Sequence, residues 1–143
     1  MNKKIIGPFI LVLIVVLSTA PVANATLENI QASEYLSSYS AYIYPEGNGN
    51  ISIWFDVQGI GIMDEIGALS IRLQRYSNGS WTTVKTYSHT NYPDMLGFNK
   101  RFYVSHVDYS GISGYLYRAD ITIWAGKNGS GDSRRILTSA IIA

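Results

Sequence analysis

The sequence of 143 residues contains no cysteine, only two histidines and only four prolines. Without cysteine the chain has no disulfide, no thiol nucleophile and no thiolate ligand for zinc, so an exported domain of this composition depends on its hydrophobic core for stability. The same absence excludes a bacterial lipoprotein, which needs a cysteine after its signal. A formal net charge of +1 also lacks the basic excess that is typical of nucleic-acid-binding domains.

The N-terminal region has the three-part pattern of an export signal. Two lysines precede an apolar stretch at residues 5–17, and the small-residue box Ala23-Asn24-Ala25 follows it. The stretch is shorter than the about 20 apolar residues that a membrane-spanning helix needs. We therefore expect cleavage after Ala25 in preference to an uncleaved membrane anchor.

Cleavage at this box divides the chain into three parts. Residues 1–25 are predicted to be the signal peptide, residues 26–34 an N-terminal linker, and residues 35–143 one folded domain of ordinary size. The sequence thus predicts a secreted protein that is no longer held at the membrane, although it could still associate with the cell surface.

Polar and apolar side chains alternate with period two over most of residues 35–143, and aromatic residues make up 13% of the sequence. This pattern is typical of half-buried strands, whereas no comparable stretch has the spacing of an amphipathic helix. The predicted strands are residues 35–44, 51–57, 69–73, 81–89, 100–109, 115–125 and 134–143. Loops rich in glycine or polar residues are expected at 59–67, 90–99, 110–114 and 126–133.

The fold class follows from what lies between these strands. No helix is available to carry parallel crossovers, so the strands should be antiparallel. Seven antiparallel strands in a domain of this size most often form a two-sheet sandwich, with a small closed barrel as the alternative. We predict an all-β, seven-stranded antiparallel immunoglobulin-like β-sandwich.

Residues 107–119 resemble the E–F corner of immunoglobulin-like and fibronectin type III domains. In that corner a tyrosine turns its hydroxyl back onto the backbone, and Tyr117 holds the matching position. Residues 35–143 also resemble small uncharacterised secreted proteins of Gram-positive bacteria, which share three motifs. These motifs read here Met63-Asp64-Glu65-Ile66-Gly67, Gly79-Ser80-Trp81-Thr82 and residues 111–119. The resemblance implies structural roles for Tyr117 and Trp81 and brings no established function.

Residue patterns for catalysis and metal binding are weak. His89 and His106 lie outside any catalytic motif, and nucleophile-elbow, zinc-helix and phosphate-loop motifs are absent from the sequence. Asp64, Glu65 and Asp94 could act as the paired carboxylates of a hydrolase, or offer oxygen ligands to a metal, if their loops met. We interpret these acids as solvated loop residues and predict no catalytic residue, no cofactor and no metal.

Outward-facing arginine and aromatic side chains are the best candidates for binding. If strands 69–73, 81–89 and 115–125 share one sheet, its outer face gathers Arg72, Tyr76, Arg118, Asp120 and Trp124. Arginine and aromatic residues dominate binding hot spots. The other outer face, around Trp54, is expected to have fewer such residues. We therefore predict the binding surface on the first face, with Trp124 as an exposed anchor.

Together these patterns predict a secreted, non-catalytic binding or structural module. Its partner would be an extracellular glycan or a protein surface, and not a nucleic acid. Two other classes remain open: an extracellular hydrolase that uses loop carboxylates, and a self-associating cell-surface or toxin-like protein.

The processed protein is expected to begin at Thr26, since the cleavage box ends at Ala25. N-terminal sequencing of protein recovered from the culture medium measures this directly. An intact Met1 on a membrane-bound form would contradict the cleavage.

Overall fold

The structure is a computed structural model that describes residues 33–143 of the chain. The predicted signal peptide and nearly all of the predicted linker lie outside the described residues. The described part forms seven β-strands and one short 3-10 turn at Pro93–Met95. The strands are β1 (Leu36–Gly47), β2 (Asn50–Ser77), β3 (Ser80–Ser88), β4 (Leu96–Ser110), β5 (Leu116–Lys127), β6 (Ser130–Leu137) and β7 (Ile141–Ile142). No helix in this part is long and apolar enough to cross a membrane.

The 28-residue strand β2 connects the whole sheet. Its first half pairs with β1 on one edge and with β4 on the other. Its second half pairs with β5 and β3 in the same way, and β5 in turn pairs with β6 and β7. Every pair is antiparallel, and the resulting seven-stranded sheet curls into a half-barrel.

The all-β antiparallel class is confirmed, whereas the division into two separate sheets is not. Residues 59–67, predicted as a loop between two strands, are the middle of β2. The pairing register with β4 shifts between Gln58 and Met63. Gly67 has a φ of 149°, and a Cβ there would lie 2.1 Å from the Met95 carbonyl oxygen. Glycines within a strand mark bulges and close approaches, so these glycines bend β2 instead of ending it.

Other predicted boundaries also differ from the structure. The predicted last strand, 134–143, is divided into β6 and β7. The predicted turn at 126–133 shrinks to Asn128-Gly129, whose positive φ values of 53° and 78° suit a tight hairpin. The predicted and observed numbers of strands agree because two predicted strands merge into β2 while the last one splits.

The hydrophobic core lies on the concave side of the curled sheet. Alternate residues of the first half of β2 face alternate residues of its second half and of β5, as period-two burial requires. The fully buried side chains include Ile51, Ile53, Phe55, Val57, Ile66, Ile71, Leu73, Tyr117, Ile121 and Ile123.

Tyr117, the second residue of β5, lies in this core with no exposed surface, and its hydroxyl reaches the corner that precedes β5. The Ile112 backbone N–H donates a hydrogen bond to its hydroxyl oxygen at 3.0 Å. A Cβ at Gly111 would lie 2.9 Å from that oxygen, so the corner approaches the ring closely. This is the contact that the sequence pattern led us to expect.

Replacing Tyr117 with Phe keeps the ring but leaves the Ile112 N–H without its acceptor. We expect the Tyr117→Phe change to lower the free energy of unfolding by about 1–3 kcal/mol, measured by chemical denaturation. Tyr115, which is 40% exposed, provides the matched control, and Tyr115→Phe should change stability less. Equal and negligible effects would contradict a stabilising role for the corner hydrogen bond.

Candidate functional site

The predicted binding face exists as a set of neighbouring residues. Pairing of β2 with β5 sets Arg72 opposite Asp120, and pairing of β2 with β3 sets Tyr76 opposite Trp81. Trp124 lies farther along β5, opposite Gly67. The three predicted strands are therefore neighbours in the sheet.

Asp120 is 2% exposed and holds two arginines on this face. Arg135 of β6 donates from Nε to Oδ1 at 2.6 Å and from Nη2 to Oδ2 at 2.7 Å, and Arg72 also donates to Oδ2. The hydrogen bonds from Arg135 lower the pKa of Asp120 more than burial raises it, and Arg72 adds to the lowering. Asp120 thus acts as the centre of an internal ion network that includes Arg135, which the sequence analysis missed.

Arg118 is likewise engaged within the face. Its guanidinium lies 4.2 Å from the centre of the Trp81 ring, and its Nε donates to Gln74 Oε1 at 2.8 Å. Trp81 also contacts Tyr76, with ring centres 5.2 Å apart. Such cation–π and aromatic pairs stabilise a sheet across strands.

Trp124 is not the exposed anchor that the sequence predicts. Its side chain is half-buried, and its ring lies over two glycines of its own sheet. A Cβ at Gly131 would come within 2.6 Å of the ring, and one at Gly126 within 2.7 Å. The indole Nε1 is buried and has no hydrogen-bond partner among the described residues. The ring therefore fills space that glycine leaves open and packs as part of the fold.

Removing the Trp124 ring should accordingly destabilise the protein. We expect Trp124→Ala to cost about 2 kcal/mol, because half-burial of an aromatic ring removes about 100 Å² of apolar surface from water. Phe98→Ala is the control, since Phe98 is 55% exposed, and it should lower the melting temperature less. Equal melting temperatures for Trp124→Ala and the unmodified protein would show that the ring contributes nothing to stability.

The opposite outer face carries a larger group of exposed aromatic residues. The registers place Tyr42 of β1, Trp54 of β2 and His106 of β4 in one row across three strands. The term aromatic face is used below for the surface formed by Tyr42, Tyr44, Trp54, Phe102, Val104 and His106. Exposure of its tyrosine, tryptophan, phenylalanine and valine side chains ranges from 37% to 56%. Soluble domains rarely leave so many large apolar side chains together in solvent without a use for them.

Two grooves of different chemistry meet at Trp54. The acidic groove, of about 490 Å³, is lined mainly by polar residues that include Glu46, Asn50, Ser52 and Asp108. The apolar groove, of about 270 Å³, is lined mainly by the aromatic face together with Asp56. No lysine or arginine lines either groove among the described residues.

The Trp54 ring is held between these grooves by its neighbour across the strands. Trp54 and His106 stack with ring centres 4.3 Å apart and planes 15° from parallel. His106 Nε2 lies 3.7 Å from a carboxylate oxygen of Asp108. Because the stack holds the ring in place, the Trp54 side chain would lose little conformational entropy on contact with a ligand.

The acids proposed for a hydrolase or a metal are separated in the structure. Asp64 and Glu65 line one groove beside Trp124, and Asp64 accepts a hydrogen bond from the Asn128 N–H at 2.7 Å. Asp94 lines a different groove, beside the 3-10 turn. The described residues contain no group of three potential metal ligands.

Sequence reasoning missed the aromatic face because it depends on which strands are neighbours. Tyr42 and Tyr44 are distant in sequence from Phe102 and His106, and β2 pairs with both of their strands at once. The available signal was the alternation itself: buried Ile43 and Val107 require their neighbours in sequence to point outward.

Comparison with known proteins gives weak likenesses. No protein family and no curated protein matches the chain. Among solved structures, the sporulation control protein Spo0M from Bacillus subtilis is similar with 11% identity and a TM-score of 0.38, over 73% of this chain and 51% of that one. A protein from Archaeoglobus fulgidus has 10% identity and a TM-score of 0.37, over 76% of this chain and 97% of that one. The match spans about half the length of the Spo0M chain, and neither likeness carries a functional argument.

Proposed function

We propose that the protein is a secreted, non-catalytic glycan-binding module that holds its ligand on the aromatic face. The observation that carries this proposal is the meeting of an acidic groove and an apolar groove at one tryptophan. The binding residues predicted from the sequence, Arg72, Tyr76, Arg118, Asp120 and Trp124, lie on the other outer face and are not part of this proposed site.

A sugar ring has the two-sided chemistry that these grooves would match. Its C–H face is apolar and stacks on Trp54 or on the tyrosines, while its hydroxyl edge needs hydrogen-bond partners. Asn50, Ser52 and Asp108 line the acidic groove and supply donors and acceptors of this kind. A concave site with apolar walls and a few polar groups is the usual form of a small-ligand site.

The charges of the grooves favour a neutral sugar chain over an anionic one. Glu46, Asp56 and Asp108 contribute carboxylates to the two grooves, whereas His106 beside Asp108 is the one basic residue type among the described residues that line them, with no lysine or arginine. A phosphate, sulfate or uronate group would therefore meet repulsion without a compensating cation. We propose neutral extracellular glycans as the ligand class.

Two finer structural proposals accompany this function. The Tyr117 corner supports a relationship between the curled sheet and immunoglobulin-like sandwiches, in which such a tyrosine corner recurs. The pattern of residues 1–25 supports export, which would bring the aromatic face into contact with extracellular glycans.

The test measures binding of neutral oligosaccharides, such as β-linked glucose or N-acetylglucosamine oligomers, by titration calorimetry. Trp54→Ala should weaken binding by about thirtyfold, as expected for a hot-spot ring worth about 2 kcal/mol. Tyr76→Ala is the matched control, since Tyr76 is 39% exposed on the opposite face and should leave affinity unchanged.

Several outcomes would contradict the proposal. Equal loss in both variants would indicate a general effect on folding, and absence of binding to any glycan would remove the assigned ligand class. Binding to a protease-sensitive component of the cell envelope that depends on Trp54 would identify a protein as the partner instead.

A further inference from the structure

Strand β4 has a free edge along the aromatic face. Thirteen of its 15 residues pair with β2 on one side. No strand of the described residues pairs with the other side, and the Asp108 carbonyl oxygen accepts a hydrogen bond from the Tyr87 hydroxyl at 2.7 Å. An unpaired strand edge presents a row of backbone N–H and C=O groups that can accept another strand.

The middle of this edge lacks the features that usually prevent such pairing. Residues 102–107 read Phe-Tyr-Val-Ser-His-Val, with no proline, no glycine and no formal charge when histidine is neutral. Edge strands are normally protected by proline, lysine or other charged residues. Charged side chains of β4 itself lie on either side of this stretch, with Lys100 and Arg101 before it and Asp108 after it.

The side chains beside this edge are apolar and exposed. Phe102 is 56% exposed and Val104 is 43% exposed, and both belong to the aromatic face. A segment that combines β-forming residues, low charge and an exposed edge is suited to pair with an identical segment.

We propose that β4 pairs antiparallel with β4 of a second copy of this chain, around a two-fold axis at Val104. Val104 then stands opposite Val104 of the second copy, and Phe102 stands opposite its His106. Lys100 stands opposite Asp108 of the second copy, and the two-fold axis creates this opposite-charge pair twice.

Charge complementarity selects this register over its neighbour. Centring the axis on Ser105 would set the apolar Phe102 opposite Asp108 and would remove the lysine–aspartate pairs. Opposite charges across antiparallel strands stabilise a sheet, whereas an unmatched charge beside an aromatic ring does not. The Val104 register also keeps both aromatic faces on the same side of one continuous sheet.

The proposed dimer does not rest on the glycan assignment, but it would extend the same surface. The strands β1, β2 and β4 of each copy would form one six-stranded stretch that carries both sets of grooves. Two sites on one rigid surface would increase avidity for a polymer that engages both.

The absence of cysteine makes a direct test of the register possible. In the full chain, Val104→Cys introduces the sole thiol, and directly opposed residues in antiparallel strands have Cα atoms about 4.5 or 5.5 Å apart. Both separations suit a disulfide. We expect Val104→Cys to oxidise to a covalent dimer at least tenfold faster than Thr82→Cys, an exposed control on the free edge of β3.

Charge variants test the same register without a crosslink. Sedimentation equilibrium should show that Val104→Lys, which sets two lysines against each other on the axis, raises the dimer dissociation constant at least tenfold, while Val104→Thr retains the dimer. Lys100→Glu and Asp108→Lys should each weaken the dimer, and the double variant should restore it. Unchanged melting curves would establish that the variants are folded.

A chain that stays monomeric at every concentration overturns the proposal. This holds whether the outer edge of β4 is free or covered by the chain's own N-terminal residues. The proposal is overturned equally by a dimer that Val104→Lys leaves intact, or by crosslinking of Thr82→Cys as fast as that of Val104→Cys. Loss of glycan binding with an unchanged dimer would affect the proposed function alone.

Discussion

The continuity of β2 is the constraint on which the rest of the structure depends. Because one strand of 28 residues serves both halves of the sheet, each half must curl toward the other to bury its apolar side. The bend needs a residue without a side chain. Gly67 is such a residue, since a Cβ at this position would lie 2.1 Å from the Met95 carbonyl oxygen. A single bent strand thereby fixes which residues face the core and which two faces remain in solvent.

The two outer faces differ in how far their side chains contact one another. On the half that contains β3, β5 and β6, polar and aromatic side chains bind one another: Asp120 holds two arginines, and Arg118 lies on Trp81. A buried carboxylate with several hydrogen bonds is costly to disturb, so this face is suited to stability. On the half that contains β1 and β4, Tyr42 stacks on Tyr44 with ring centres 6.2 Å apart, yet Tyr42, Phe102 and Val104 stay 43% to 56% exposed.

Sequence reasoning recovered the elements whose determinants are local. Period-two alternation identified most of the strands, and Tyr117 marked a corner whose hydrogen bond the structure shows. It failed where the outcome depends on distant pairing. Residues 59–67 look like a loop when read alone. Gly59 pairs with Leu36 of β1 and Gly67 pairs with both β4 and β5, so the segment belongs to one strand. The same limit led to the choice of Trp124, because nothing local reveals that Gly131 of the next strand leaves room for its ring.

The positions of the free edge and the aromatic face are linked by the same topology. Since β2 already has a neighbour on each edge, β4 is left as the outermost strand of its half, and its alternate side chains complete the aromatic face. The backbone groups along the outer edge of such a strand have no partner strand, and the apolar side chains on its outer surface are not buried. Protecting the edge with a charge at Val104 would place that charge within the apolar groove, which Val104 helps to line. A binding surface that extends to the border of the sheet therefore leaves its edge strand open to pairing.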